Sequence, residues 1–247
     1  MGGEVCLAVD AADDMTLVAA VDPSTAGSSV GHDDITVVAS PDELDAGSLD
    51  VLVDFTHAEA SRIVLAWGVH NEVHVVSGVT GQDEGEIESL RGALTGSNAI
   101  IAPNFAIGAV MLMRMAELAA PHFQTAEVIE FHHNAKRDAP SGTAMMTAAR
   151  IDSAKSASGS AFDDDPTEQE VVPGARGGKV GGVGVHGVRM HGMVAHQEVI
   201  FGTTGETLTI RHDSIHRSSF MPGVLLAIRE VSQRPGLTVG LDDLLFG

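Results

Sequence analysis

A chain of 247 residues with 34 Asp and Glu against 14 Lys and Arg carries a formal charge of −20 at pH 7, and such a field repels nucleic acid and excludes it as a partner. The length allows one large domain or two modest ones. With no run of about 18 apolar residues and no basic-then-apolar leader, neither a membrane span nor export is predicted. The single Cys6 excludes an internal disulfide framework and points to a reducing cytoplasm. Cys6 itself reads as a core filler in a helical context. Only Lys136, Lys155 and Lys179 are lysines, and so acidic a surface suggests a high-salt cytoplasm, where screening relieves self-repulsion.

In chain order, short Val- and Ile-rich runs over Leu17–Val21, Asp50–Phe55, His74–Ser77 and Ala99–Ala102 read as buried parallel strands. Ala58–Val69 and Asp83–Leu94 are the crossover helices between them. That is the pattern of a doubly wound α/β sheet, which binds ligands beyond the carboxyl ends of its strands. After Pro103 the pattern changes. Ala109–Ala120 is a strong helix stopped by Pro121, and Val128–His132 is a strand. Ser153–Glu170 reads as a mobile acidic loop, and Gly174–Gly192 is rich in glycine among small apolar residues. His196–Phe201 and Glu206–His212 flank Gly202-Thr203-Thr204-Gly205 as a β-hairpin, and Ser219–Ser232 is the last helix, packing back on the first domain.

The densest chemistry lies in residues 130–144, Glu-Phe-His-His-Asn-Ala-Lys-Arg-Asp-Ala-Pro-Ser-Gly-Thr-Ala. His132 and His133 are adjacent, so one role for both requires the strand to end there. An imidazole beside Lys136 suits a general acid next to an anion-holding charge. Zinc ligation is the weaker reading, because no third ligand follows at metal spacing. Ser141 is a helix N-cap, and the amides of Gly142 and Thr143 then face a carboxylate or phosphate at the helix end. A plain capped helix is the alternative, which Pro140 and the upstream cations disfavour.

Three further segments follow predicted strands. Asp22 ends the Leu17–Val21 strand, where an acidic residue accepts hydrogen bonds from an adenosine ribose. Gly78-Val79-Thr80-Gly81 and Ala102-Pro103-Asn104-Phe105 are turns singly, and together form a nicotinamide crevice. His57, His186, His191, His196, His212 and His216 read as packing or surface residues. Arg211 and Arg217 could add positive charge to the pocket, but their positions are not fixed by the sequence.

These motifs together resemble the dihydrodipicolinate reductase (4-hydroxy-tetrahydrodipicolinate reductase) family of lysine and diaminopimelate biosynthesis. The resemblance covers nearly the whole chain, through Asp54-Phe55-Thr56-His57, Ala102 to Gly108, residues 130–144 and Gly202 to Glu206. It implies a Rossmann-like dinucleotide-binding domain, here 1–103 with 217–247, and a second α+β domain on a mixed sheet, 104–216, through which subunits form a homotetramer. NADPH or NADH is the implied hydride donor and a small dicarboxylate the substrate. His132 is then the proton donor and acceptor, Lys136 a second proton donor, and His133 a substrate contact. Gly142 and Thr143 hold a substrate carboxylate. Asp22, Gly78, Val79, Thr80, Ala102, Pro103, Asn104 and Phe105 fall where the family contacts its cofactor. Asp22 favours the free ribose hydroxyl of NADH.

Two departures from the family pattern stand out. Val79 replaces the first Thr of a Gly-Thr-Thr-Gly loop and removes a hydroxyl. Met1-Gly2-Gly3-Glu4-Val5 matches only the tail of a strand and Gly-x-x-Gly-Arg/Lys-Met-Gly motif that wraps the pyrophosphate. The expectation is that the start lies at an internal Met, that two neighbouring strands keep unpaired edges, and that this chain alone binds dinucleotide weakly. A non-catalytic relative that keeps the substrate pocket is the alternative reading, and a metal-dependent hydrolase built on the histidines ranks last.

Overall fold

The computed structural model describes residues 1–247, which divide into two compact units, Met1–Ala106 with Phe220–Gly247, and Ile107–Ser219. The first unit runs through helix α1 (Gly2–Asp10), strands β1 (Ala20–Val21), β2 (Ser29–Val30), β3 (Ile35–Val38) and β4 (Val51–Asp54), helix α2 (Ala58–His70), β5 (His74–Ser77), helix α3 (Glu84–Ala93) and β6 (Ala99–Ile101). The second holds α4 (Ile107–Ala119), β7 (Thr125–His132), α5 (Gly142–Ala157), β8 (Gly178–Val180), β9 (Val183–Arg189), β10 (Ala195–Thr203) and β11 (Glu206–Ser214). The chain then returns to the first unit through α6 (Met221–Val231), β12 (Leu237–Val239) and α7 (Asp242–Phe246).

In the first unit, β12, β6, β5 and β4 lie in that order in one parallel sheet. A second sheet orders β1, β3 and β2, with β1 parallel and β2 antiparallel to β3. β1 closes one sheet and β4 the other, each with a free edge. The crossover helices start where local chemistry tells them to. His57 Nδ1 accepts the Ala60 N–H at the start of α2, and Asp83 with Glu86 forms a reciprocal capping box at the start of α3. Leu65 from α2, Val75, Ala99 and Ile101 from the strands, Leu94, and Leu237 make one buried cluster. Gly68 lets α2 close on the sheet, because a Cβ there would run into the Val75 side chain.

The second unit is a five-stranded mixed sheet ordered β11, β10, β7, β9, β8. β7 and β9 are parallel and every other pair is antiparallel. Parallel neighbours need a crossover, and α5 supplies it. Its buried residues Ala144, Thr147, Ala148, Ile151 and Lys155 recur at helical spacing and form one stripe.

Several expected boundaries move. The Leu17–Val21 strand shrinks to Ala20–Val21, and the Val128–His132 strand lengthens to Thr125–His132 because its first residues pair with Gly202, Phe201 and Ile200 of β10. Ser153–Glu170 is not a mobile loop throughout. Residues up to Ala157 continue α5, and the following segment is pinned by Arg176, whose guanidinium bridges Glu127 (2.7 Å) and Asp165 (3.1 Å). β2, β3, β12 and α7 go unannounced in the sequence, each being five residues or fewer.

Candidate active site

β7 carries the site because it alternates. Ala126, Val128 and Glu130 are buried while Glu127, Ile129 and Phe131 are half-exposed, so His132 shares the face of Glu130. The strand ends at His132, and the Lys136 N–H then donates to the His133 carbonyl across a turn. The ending removes the conflict between adjacent histidines, since His133 lies beyond the ladder and is exposed. Lys136 comes back half-buried, its ammonium on both oxygens of Asp138 at 2.7 and 2.9 Å.

Beneath His132 sits a carboxylate that water does not reach. The Glu130 side chain is 0% exposed. One of its oxygens accepts from His132 Nδ1 and from Arg189 Nη1 at 2.7 Å. The other accepts from Arg189 Nη2 at 2.8 Å and from the Ser141 backbone N–H at 3.1 Å. Burial alone drives a carboxyl up, but the Arg189 fork and the His132 imidazole overcome it and hold Glu130 below its ordinary value. For His132, burial wins and lowers the imidazole, opposed by Glu130 and helped by Lys136 and Arg189. The carboxylate can only accept, so Nδ1 bears the hydrogen and Nε2 is left for chemistry.

Ser141 caps α5 as expected, its hydroxyl accepting the Ala144 N–H at 3.2 Å. Gly142 opens the helix end, where a Cβ would meet nothing within 4 Å. Thr143 is fixed from behind. Its carbonyl accepts the Thr147 hydroxyl at 2.8 Å, which in turn accepts from buried Gln197 at 2.8 Å. A helix N-terminus can hold an anion, and Lys136, Gly142 and Thr143 all belong to the one segment that follows β7.

In the first unit, the expected cofactor segments follow β1, β5 and β6. Asp22 lies just past β1, exposed, its carboxylate accepting from the Ser24 N–H and hydroxyl at 2.8 and 2.6 Å. Buried Asp54, at the end of β4, accepts from the Thr56 N–H (2.9 Å) and hydroxyl (2.7 Å) and from Ser77 (2.9 Å). Ser77 passes the order on to the loop, its hydroxyl accepting the Val79 N–H at 3.2 Å. Gly78 is held against Phe55, whose ring a Cβ would strike. Val79, Ala102 and Phe105 turn their side chains inward, leaving Thr80 and Pro103 exposed and Asn104 half-exposed. A cradle of backbone at strand ends, closed to side chains by Gly78 and Phe55, suits the close approach of a dinucleotide.

Other histidines have structural partners. His186 bonds Glu127 and His196 bonds Asp213, both at 2.7 Å, while burial lowers His212 beside Gly108. Arg211 does not join the site. It faces away from His132, paired with Glu198 and Asp213 and stacked 5.3 Å from the Phe131 ring centre. Arg217 has no carboxylate partner, and neither does Arg137. No group of three or more His, Cys, Asp or Glu side chains is arranged to hold a metal ion. The sequence reading missed Glu130 and Arg189. Glu130 was legible from period two, two residues before His132. Arg189 had no local signal, since it meets Glu130 only through the parallel pairing of β7 with β9.

Comparison with known proteins places the chain in a family. Family models described as dihydrodipicolinate reductase, N-terminus and C-terminus, match residues 1–105 and 108–245. A 4-hydroxy-tetrahydrodipicolinate reductase of Nocardia farcinica (strain IFM 10152) is 51% identical over 99% of this chain and 94% of its own. The corresponding protein of Thermobifida fusca (strain YX) is 49% identical over the same shares. A dihydrodipicolinate reductase from Paenisporosarcina sp. TG-14, solved with dipicolinate bound, superposes with a TM-score of 0.85 at 35% identity, covering 97% of this chain and 93% of that one. The chain belongs to the dihydrodipicolinate reductase family.

Proposed function

We propose that the protein is an NAD(P)H-dependent oxidoreductase that reduces 4-hydroxy-tetrahydrodipicolinate, through its dehydrated dihydrodipicolinate ring, to tetrahydrodipicolinate. The observation that carries this is the joining of His132, Lys136 and the Ser141–Thr143 helix start in one segment around buried Glu130. The relatives named above act on this substrate by name, and the Paenisporosarcina protein holds a planar dicarboxylate.

The reduced nicotinamide, when bound, supplies the hydride. The chain does the rest. Gly142 and Thr143 amides hold one substrate carboxylate at the positive end of α5, with Lys136 adding charge and serving as second proton donor. His133, exposed beside them, contacts the substrate. His132 gives the proton from Nε2 while Nδ1 stays on Glu130. Asp22 receives the ribose, and Gly78, Val79 and Thr80 with Ala102, Pro103, Asn104 and Phe105 line the nicotinamide end, mostly through backbone. The cofactor is NADH or NADPH, and the exposed Asp22 carboxylate favours the free 2′-hydroxyl of NADH.

The sheet face away from α5 keeps Ile129, Phe131 and Ile200 only half-buried, which supports a homotetramer built through that face. No helix is long and apolar enough to cross a membrane, and a cytoplasmic location suits the reaction. Light scattering on the purified protein should give four copies of the 25.6 kDa chain. The reaction itself is tested by NAD(P)H oxidation with enzymatically generated substrate. His132→Gln should lower kcat by about a hundredfold or more with KM little changed, while Lys136→Ala impairs both. Equal and mild effects from the two variants would remove these roles.

A further inference from the structure

Glu130 touches no substrate in the reaction described above, yet it is among the largest fully buried side chains in the protein and the only charged one of them. We propose that Glu130 is the positioning residue of the site: one oxygen fixes the His132 imidazole through Nδ1, and the other holds the start of α5 through the Ser141 N–H. A single buried carboxylate then sets both the proton donor and the anion-holding helix end in one frame. The inference rests on the reaction proposed above for its catalytic consequence, and not for its geometry.

A buried carboxylate needs donors for both oxygens, and an ion pair with Arg189 alone meets that need in the two-pronged form seen here. Glu130 nonetheless takes two more donors, and both belong to the site. Arg189 in turn also donates from its two terminal nitrogens to the carbonyls of Val188 (2.8 Å) and Asp138 (2.6 Å), the latter in the loop that carries Lys136. A purely structural pair has no reason to collect the proton donor, the helix cap and the lysine loop together.

The charged groups facing His132 are Glu130 on its own strand, Arg189 directly across on β9 and Lys136 from the loop that follows. Its neighbour on β10 is the uncharged Ala195, and α5 presents Ser141. Glu130 is therefore the group that stabilises the imidazolium, against two cations. When the imidazolium gives its Nε2 proton to the substrate, the Nε2–H bond breaks and the new bond forms at the ring. Neutral imidazole remains with its Nδ1 hydrogen on Glu130, and Nε2 is reprotonated from water.

The experiment titrates His132 by NMR of the imidazole in the full-length protein, without substrate, beside steady-state kinetics. In Glu130→Gln, His132 should titrate lower by about one unit or more, and kcat should fall by about tenfold to a hundredfold with KM changed by less than about threefold. If the unpaired Arg189 prevents folding, Glu130→Gln with Arg189→Gln buries no lone charge; losing Arg189 offsets only part of the loss of Glu130, so His132 should still titrate lower, by less than in the single variant, and kcat should still fall. A His132 titration unmoved in whichever variant folds overturns the proposal, as does a kcat within about twofold of the parent. Because the titration needs no substrate, a parent protein that oxidises no NAD(P)H would overturn the reaction while the titration still decides the role of Glu130.

Discussion

Glu130 and Gly187 face each other across β7 and β9, and the carboxylate occupies the space that a side chain at Gly187 would take. A Cβ on Gly187 would lie 3.1 Å from Glu130 Oε1, 3.6 Å from Ala139 Cβ and 3.7 Å from Arg189 Nη1. An alanine there requires the carboxylate to yield by a few tenths of an ångström, and no positive φ calls for the glycine.

Gly187→Ala should therefore cost about 1–3 kcal/mol of stability through overpacking, read as a lower urea midpoint. It should also lower kcat, because the methyl group pushes the Glu130–Arg189 fork off His132. A variant as stable and active as the parent would show that the sheet yields at no cost.

His132 sets a pH dependence whose sign can be worked out. Its imidazole lies below the ordinary histidine value, first through burial and then through Lys136 and Arg189. If the protonated form donates, kcat/KM falls as pH rises through that lowered value, below about 6.5. A bound dianion favours the imidazolium, so the same limb in kcat should lie at higher pH. Coincident limbs in the two profiles would exclude His132 as the titrating donor.

Gly78→Ala should weaken dinucleotide binding by about tenfold or more, since the new methyl enters the Phe55 ring and displaces the loop that Ser77 holds. Calorimetric titration with NADH and NADPH checks it, with the melting temperature separating local from global damage.

Lys155 fastens the acidic segment. Its buried ammonium donates to the Phe123 carbonyl at 2.7 Å and lies 5.2 Å from the centre of the Phe162 ring. Lys155→Met should cost about 1–3 kcal/mol by leaving that carbonyl unmet and should expose residues 158–177 to limited proteolysis. Unchanged cleavage would assign the fastening to Arg176 alone.

Much of this was legible because the relevant interactions are local. The Ser141 cap, the apolar runs of β4 to β6 and the strand leading into His132 all act within a few positions of themselves, whereas the caps at His57 and Asp83 were not read from the sequence. The site residues that stayed hidden act over distance. Arg189 is 59 positions from Glu130, and only the parallel register of β7 and β9 brings them together. The loop expected to be mobile is likewise held by remote partners, Arg176 reaching Glu127 across 49 positions. The short strands β2 and β12 owe their existence to neighbours, since two or three residues carry too little pattern to announce themselves.

The pairing of Lys136 with Asp138 has a consequence for a molecule of charge −20. Most cations here are already paired with a carboxylate of the same chain, and Lys136 sits on both oxygens of Asp138. If Lys136 holds the substrate as proposed, an arriving dianion does not find that ammonium vacant. It displaces a resident competitor, one tethered two residues away and therefore never diluted. Occupancy then becomes an exchange of counter-ions at the ammonium, with Asp138, whose side chain is already 61% exposed, giving up its place as the guest comes in. Recognition then turns on the difference between two anions for one ammonium, so added salt, which weakens both contests, should change affinity less than the formal charge suggests.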